Sequence, residues 1–223
     1  MKKYEFLLFD LDNTILDFDK SERESLYQLF AENGIECNEE MIQEYNLMNK
    51  ELWWQCEQGL LSLDEVLNTR FSRFLSKQGI EVDGVQWEMR YRYYLDNTVF
   101  LMDGALDIIK ELAKSYRLFI ITNGVTQTQV KRIEAVGLSE YFEMIFTSQQ
   151  IGHMKPAIEF FDFVGSSISD FNKMNALVIG DSFSSDIKGG NNAGIDTCWL
   201  TNASDDDCTY VIKELADIFL VLE

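Results

Sequence analysis

The stretch Phe6-Leu7-Leu8-Phe9-Asp10-Leu11-Asp12-Asn13-Thr14 opens with four apolar residues, stops on an acid and meets a second acid two residues later. Four apolar residues without polar alternation suit a strand buried on both faces. The same form, a short apolar run followed by Gly, Asp, Asn or Thr, recurs at Leu118–Ile121, Met144–Phe146, Leu177–Ile179 and Thr197–Leu200. Amphipathic helical patterns lie between most of these runs, as in Ala105–Ser115 and Gln127–Val136. Short buried strands alternating with helices predict an α/β fold, a parallel sheet covered on both faces. In such sheets ligands bind beyond the carboxyl ends of the strands. The residues that follow each run therefore carry the functional reading.

One stretch breaks the alternation. From about Leu16 to Asn97 the periodicity is helical throughout. SERESLYQLFAENG predicts a helix capped by Ser21, with Glu24 completing a capping box, and ended by Gly34. Two further helical segments end at Gly59 and Gly79, and a fourth follows around Gln86–Leu95. This pattern predicts a four-helix insert at residues 16–97, between a first strand in 1–15 and the rest of the sheet in 98–223.

The chain has 223 residues, 46% hydrophobic and 26% charged, which is globular composition. Its 38 Asp+Glu against 19 Lys+Arg give a net charge of −19. That sign argues against nucleic acid or an anionic membrane as partner. A small phosphorylated substrate stays compatible if a metal ion or local cations offset the field. The apolar run at the N-terminus is too short for a signal peptide, and no run reaches membrane-spanning length. Cys37, Cys56, Cys198 and Cys208 form no C-x-x-C pair. They are read as reduced thiols of a cytoplasmic protein, a monomer or weak homo-oligomer.

The strand ends gather a consistent chemistry. Asp10 suits a nucleophile or a hard-metal ligand, and Asp12 a general acid/base. Thr122-Asn123-Gly124 joins a hydroxyl to backbone N–H groups in a small anion cradle. Lys155-Pro156 supplies a point charge, with Pro156 expected as the first residue of a helix. Gly180-Asp181-Ser182-Phe183-Ser184-Ser185-Asp186 adds two acids, which completes an oxygen-rich site suited to Mg²⁺.

In this order the residues resemble the four motifs of the haloacid-dehalogenase (HAD) superfamily of phosphatases, as Asp10/Asp12/Thr14, Thr122, Lys155 and Asp181/Asp186. The resemblance covers the whole chain and implies a Rossmann-like core with the insert as a helical C1-type cap closing over the site. It implies Asp10 as the nucleophile that becomes an aspartyl-phosphate, and Asp12 as the group that protonates the leaving oxygen and then activates water. Thr122 and Lys155 would hold the phosphoryl group, with Asn123 and Gly124 offering backbone N–H groups. Mg²⁺ would be held by Asp10, Asp181 and the Asp12 carbonyl, with Asp186 acting on Lys155 or a metal-bound water. Dehalogenases of similar layout have no acid at the Asp12 position, so Asp12 favours a phosphatase, although a phosphomutase has the same motif set. Gly180–Leu200, GDSFSSDIKGGNNAGIDTCWL, is similar over its whole length to the YjjG- and YfnB-like bacterial pyrimidine 5′-nucleotidases. That implies nucleoside monophosphates as substrates. A sugar phosphate or phosphoglycolate is the alternative substrate, and a non-catalytic phosphate-binding regulator is the alternative of a different class.

Other residues carry weaker readings. Trp53 and Trp54 are expected to pack either within the insert or between the insert and the core domain, rather than on a nucleobase. His153 reads as a loop residue, Phe18 and Phe183 as lining for the entrance, and Asp205-Asp206-Asp207 as a solvated loop.

Overall fold

The computed structural model describes residues 3–203 and 207–223, so Asp205 and Asp206 of the acidic run lie outside the described residues. The described chain divides into two compact units, residues 1–18 with 99–223, and residues 19–98. Among the described residues no helix is long and apolar enough to cross a membrane.

The first unit is built on a six-stranded parallel sheet of order β3-β2-β1-β4-β5-β6. The strands are β1 (Phe6–Phe9), β2 (Arg117–Thr122), β3 (Met144–Thr147), β4 (Ala176–Gly180), β5 (Asp196–Leu200) and β6 (Tyr210–Ile212). Period-two geometry turns the apolar run of β1 into two cores. Leu7 and Phe9 pack with Ile108, Ile109 and Leu112 of α5 (Ala105–Leu112) on one face. Phe6 and Leu8 pack with Phe160, Phe161 and Val164 of α8 (Ile158–Ser167) on the other. Both faces are covered, so the run had no polar position to alternate with. β1 lies between β2 and β4, with Phe9 in register with Ile120 and Ile179. The chain order reverses around it, and the carboxyl ends of β1, β2 and β4 stand side by side.

The second unit contains α1 (Phe18–Glu32, which starts at the boundary), α2 (Glu39–Glu57), α3 (Leu63–Ser76) and α4 (Gly84–Asn97). Its core is aromatic. Phe71 stacks on Tyr45 at 5.3 Å between ring centroids and meets Trp87 and Tyr91. Ser62 and Glu65 close a capping box at α3, and Asn38 and Asp83 cap α2 and α4.

Four expectations are corrected. Ser21 does not cap α1: the helix begins three residues earlier, where Asn13 Oδ1 accepts the Phe18 N–H at 3.0 Å, and Ser21 is buried inside it. Pro156 does not start a helix; it precedes Ala157, the cap of α8, and its peptide bond to Lys155 is cis. Trp54 does not pack the helical core, because α2 buries the Met41, Tyr45, Asn49, Leu52 and Cys56 face and leaves Trp54 47% exposed, while Trp53 is half-buried. The sheet has a sixth strand, the three-residue edge β6, too short to leave a periodic signal.

A polar network crosses the second unit. The Arg70 guanidinium donates to both Glu88 oxygens at 2.7 and 2.9 Å, while Glu22 Oε1 accepts from Asn49 and Tyr91 at 3.1 Å each. Burial pushes the Glu22 carboxyl from its ordinary 4.5 up to about 7, against the pull of Arg70. Between those values the folded chain holds a proton that the unfolded chain releases. The stability this group contributes is therefore full below pH 4.5 and lost as pH rises through about 7. Glu22→Gln keeps an acceptor but cannot ionise. Relative to the parent it should gain stability between pH 5 and 8, by up to roughly 3 kcal/mol. Chemical denaturation at the two pH values measures this, and a difference independent of pH would refute it.

Candidate active site

Asp10 is fixed by the sheet itself, because its N–H donates to the Ile179 carbonyl at 2.8 Å and continues the β1–β4 ladder. Lys155 arrives beside it not directly from β3 but from the loop between the short α7 (Ser148–Ile151) and α8. Its ammonium donates to Asp10 Oδ1 at 2.6 Å, Asp186 Oδ1 at 2.6 Å and the Ile121 carbonyl at 2.8 Å, which uses all three protons. Lys155 is 1% exposed, and Asp186 is fully buried. Asp186 sits in a π-helical turn, Phe183–Ile187, started by Ser182, whose N–H donates to Asp186 Oδ2 at 3.1 Å. Gly180 is required here: a Cβ would collide with the Asp186 carboxylate. The Asp181 carbonyl is held at 2.8 Å by the Trp199 indole N–H.

Carboxylate oxygens of Asp10, Asp181 and Asp186 lie within 4.8 Å of one another. Three acids, Asp10 and Asp186 buried and Asp181 half-buried, face one ammonium, so full ionisation would leave two excess negative charges. Burial raises the Asp10 carboxyl well above its usual range, and the Asp186, Asp181 and Asp12 charges raise it further against Lys155. Burial followed by the Asp186 charge lifts Asp181 to about 7. Burial alone would lower the Lys155 ammonium, but Asp10 and Asp186 outweigh it and hold it above its ordinary value. An all-oxygen donor set with this excess charge fits a hard divalent cation.

Thr122, the last residue of β2, is buried, and its Oγ1 accepts from the Gly124 N–H and from Gln129 Nε2, each at 3.0 Å. The Gly124 N–H, expected to face an anion, is thus engaged with Thr122. The Asn123 carboxamide clasps the Lys155 backbone, donating to its carbonyl at 3.0 Å and accepting its N–H at 2.8 Å. Thr14 is fully buried, and its hydroxyl has no hydrogen-bond partner among the described residues.

Asp12 stands apart from the acidic cluster. Its Oδ1 accepts from Arg132 at 2.5 Å and its Oδ2 from Gln129 at 2.7 Å. Both partners belong to α6 (Thr126–Ala135), and neither was read from the sequence. The available signal was a long cation and an amide three residues apart on the face that also carries Ile133. Phe18 lies under the Arg132 guanidinium at 5.4 Å, and Phe183 packs on Trp199 at 5.0 Å. His153 is exposed and outside the cluster.

Residues 7–200 match the family model described as haloacid dehalogenase-like hydrolase. The chain is 42% identical over its whole length to YfnB of Bacillus subtilis, named as a HAD-hydrolase, and spans 97% of that protein. It is 41% identical to the pyrimidine 5′-nucleotidase PynA of Streptococcus pneumoniae, over 99% of this chain and 95% of that one. The pyrimidine 5′-nucleotidase YjjG of Escherichia coli is 28% identical, over 89% of this chain and 86% of that one. A crystal structure of YfnB, described as bound to magnesium, superposes with a TM-score of 0.96 over 99% of both chains.

Proposed function

This chain belongs to the haloacid dehalogenase-like hydrolase family, and on that footing we propose that it is a Mg²⁺-dependent phosphatase of small phosphate monoesters, pyrimidine nucleoside 5′-monophosphates first among them. The observation that carries the chemistry is the buried Lys155 ammonium, bonded at 2.6 Å to both Asp10 and Asp186, with Asp181 in the same cluster. An Asp10 oxygen attacks phosphorus, the bond to the leaving oxygen breaks, and Asp12 gives that oxygen a proton. Asp12 then takes a proton from water as the water attacks the aspartyl-phosphate, which releases phosphate and restores Asp10. Lys155, exchanging one of its three bonds for a phosphoryl oxygen, and the Thr122 hydroxyl, which already accepts twice and so has its proton to give, hold the phosphoryl oxygens. Asp10, Asp181, Asp186 and the Asp12 carbonyl would hold Mg²⁺, which supplies charge stabilisation to the phosphoryl oxygens when bound.

The substrate reading draws on the names of PynA and YjjG, and it places the reaction in the cytoplasm. A phosphate-release screen over nucleotides and sugar phosphates tests it. Pyrimidine 5′-monophosphates should lead. A hexose phosphate or phosphoglycolate ranking well above every nucleotide would end the nucleotidase reading and leave the phosphatase reading standing.

Chelation should remove activity and Mg²⁺ restore it, with Ca²⁺ a poor substitute because it prefers longer bonds and more ligands. Asp181 binds a cation as the carboxylate, the form that prevails above about pH 7 in the metal-free protein. The Mg²⁺ concentration for half-activation should therefore rise as pH falls from 8 to 6, with protons released on metal addition. Full activity in excess chelator would refute the metal requirement.

A further inference from the structure

We infer that Gln129 and Arg132 are positioning residues that aim the Asp12 carboxylate, an inference that rests on Asp12 acting as the general acid. Each Asp12 oxygen receives one bond from α6: Oδ1 from Arg132 Nη1 at 2.5 Å and Oδ2 from Gln129 Nε2 at 2.7 Å. Arg132 Nη1 also donates to Gln129 Oε1 at 2.9 Å, so the two holders brace each other. A carboxylate so gripped cannot rotate about its terminal torsion, yet each oxygen keeps a lone pair for another partner. The Asp12 side chain is 29% exposed and that of Arg132 is 1% exposed, so the anchor lies beneath a carboxylate whose outer side is accessible.

Arg132 makes little sense as a device for stability. Its Nε and Nη2 are buried with no hydrogen-bond partner among the described residues, and burying such groups is costly. What the guanidinium does make is its grip on Asp12, its brace to Gln129 and a ring contact with Phe18. Gln129 adds a second link. The same Nε2 that holds Asp12 donates to Thr122 Oγ1 at 3.0 Å, so one carboxamide sets the acid against the residue proposed to hold the phosphoryl group. Gly124 makes room for it, because a Cβ there would collide with the Gln129 side chain.

A misaimed acid has a signature that general damage lacks. Protonation of the leaving oxygen matters for an alkoxide and hardly at all for p-nitrophenolate, which departs unaided. Arg132→Met and Gln129→Leu should each lower kcat/KM about 10²-fold for UMP and under about tenfold for p-nitrophenyl phosphate, the scale that acid catalysis and its alignment command. Across substituted phenyl phosphates the dependence of kcat/KM on leaving-group pKa should steepen, and Arg132→Lys should recover part of the loss. Asp12→Asn should show the same selectivity more strongly, and adding Arg132→Met to it should cost nothing further, because nothing remains to aim. If Asp12→Asn is selective by leaving group while Arg132→Met and Gln129→Leu slow every substrate equally or not at all, the positioning role is refuted and the acid assignment stands. If Asp12→Asn itself shows no selectivity, the acid assignment fails and takes the positioning role with it. Should Arg132→Met not fold, Gln129→Leu, which keeps the guanidinium, decides by the same comparison.

Discussion

Asp10→Asn is expected to abolish turnover, by more than about 10⁴-fold, while the protein stays folded. The amide has nearly the shape of the carboxylate but does not attack phosphorus and is a poor ligand for a hard cation. Stability should not suffer. The site carries three carboxylates against the one Lys155 ammonium, and burial already opposes ionisation of Asp10, so neutralising it relieves repulsion. In chelator at pH 8 the variant should melt no lower than the parent. Trapping of a radiolabelled phosphoryl group on the parent protein, and none on the variant, would identify the nucleophile. Near-parental turnover with an intact circular dichroism spectrum would end the assignment.

Lys155→Met should damage both activity and stability, and the two effects can be separated. The ammonium satisfies three buried acceptors, Asp10, Asp186 and the Ile121 carbonyl. Removing it leaves buried charge without its counter-ion, a change that costs about 3–5 kcal/mol. Turnover should fall by at least about 10³-fold, since the cation that would meet the phosphoryl oxygens is gone. Lys155→Met combined with Asp186→Asn removes one of the uncompensated carboxylates. It should recover part of the lost stability and none of the activity. Urea denaturation and phosphate release on both proteins check this. A double variant that regains turnover along with stability would reduce Lys155 to a structural counter-ion.

The sheet was legible because its strands are buried on both faces, which leaves an apolar run bounded by a polar stop. The run Phe6–Phe9 coincides with β1 residue for residue, and Leu118–Ile121 and Leu177–Ile179 differ from β2 and β4 only at their ends. Tyr210–Ile212 was missed because three residues on a sheet edge carry no period. Ser21 misled because a capping box is a local pattern, and here a more distant acceptor, the Asn13 carboxamide, met the helix start first. Trp54 departs from expectation for a similar reason: size and apolarity suggest burial, but the helix phase set by Tyr45, Asn49 and Leu52 turns it toward solvent, while Trp53 is half-buried.

The amino-acid sequence alone determined the α/β class and marked the strand ends where Asp10, Thr122 and Asp181 fall, because hydrophobic periodicity and its terminators are written in neighbouring residues; Lys155 follows β3 only after a further helical turn, Ser148–Ile151. Only the tertiary structure decided what those residues touch. Lys155 reads as a surface lysine until the fold carries it across 145 positions to Asp10, where burial and two carboxylates make it a fixed cation. Arg132 reads as one more charge on an amphipathic helix until the turn after β2 lays α6 against Asp12, 120 positions away. Such contacts have no local signature. Hydrogen bonds between distant side chains depend on where packing places whole helices, and packing is settled by the summed burial of all their apolar faces.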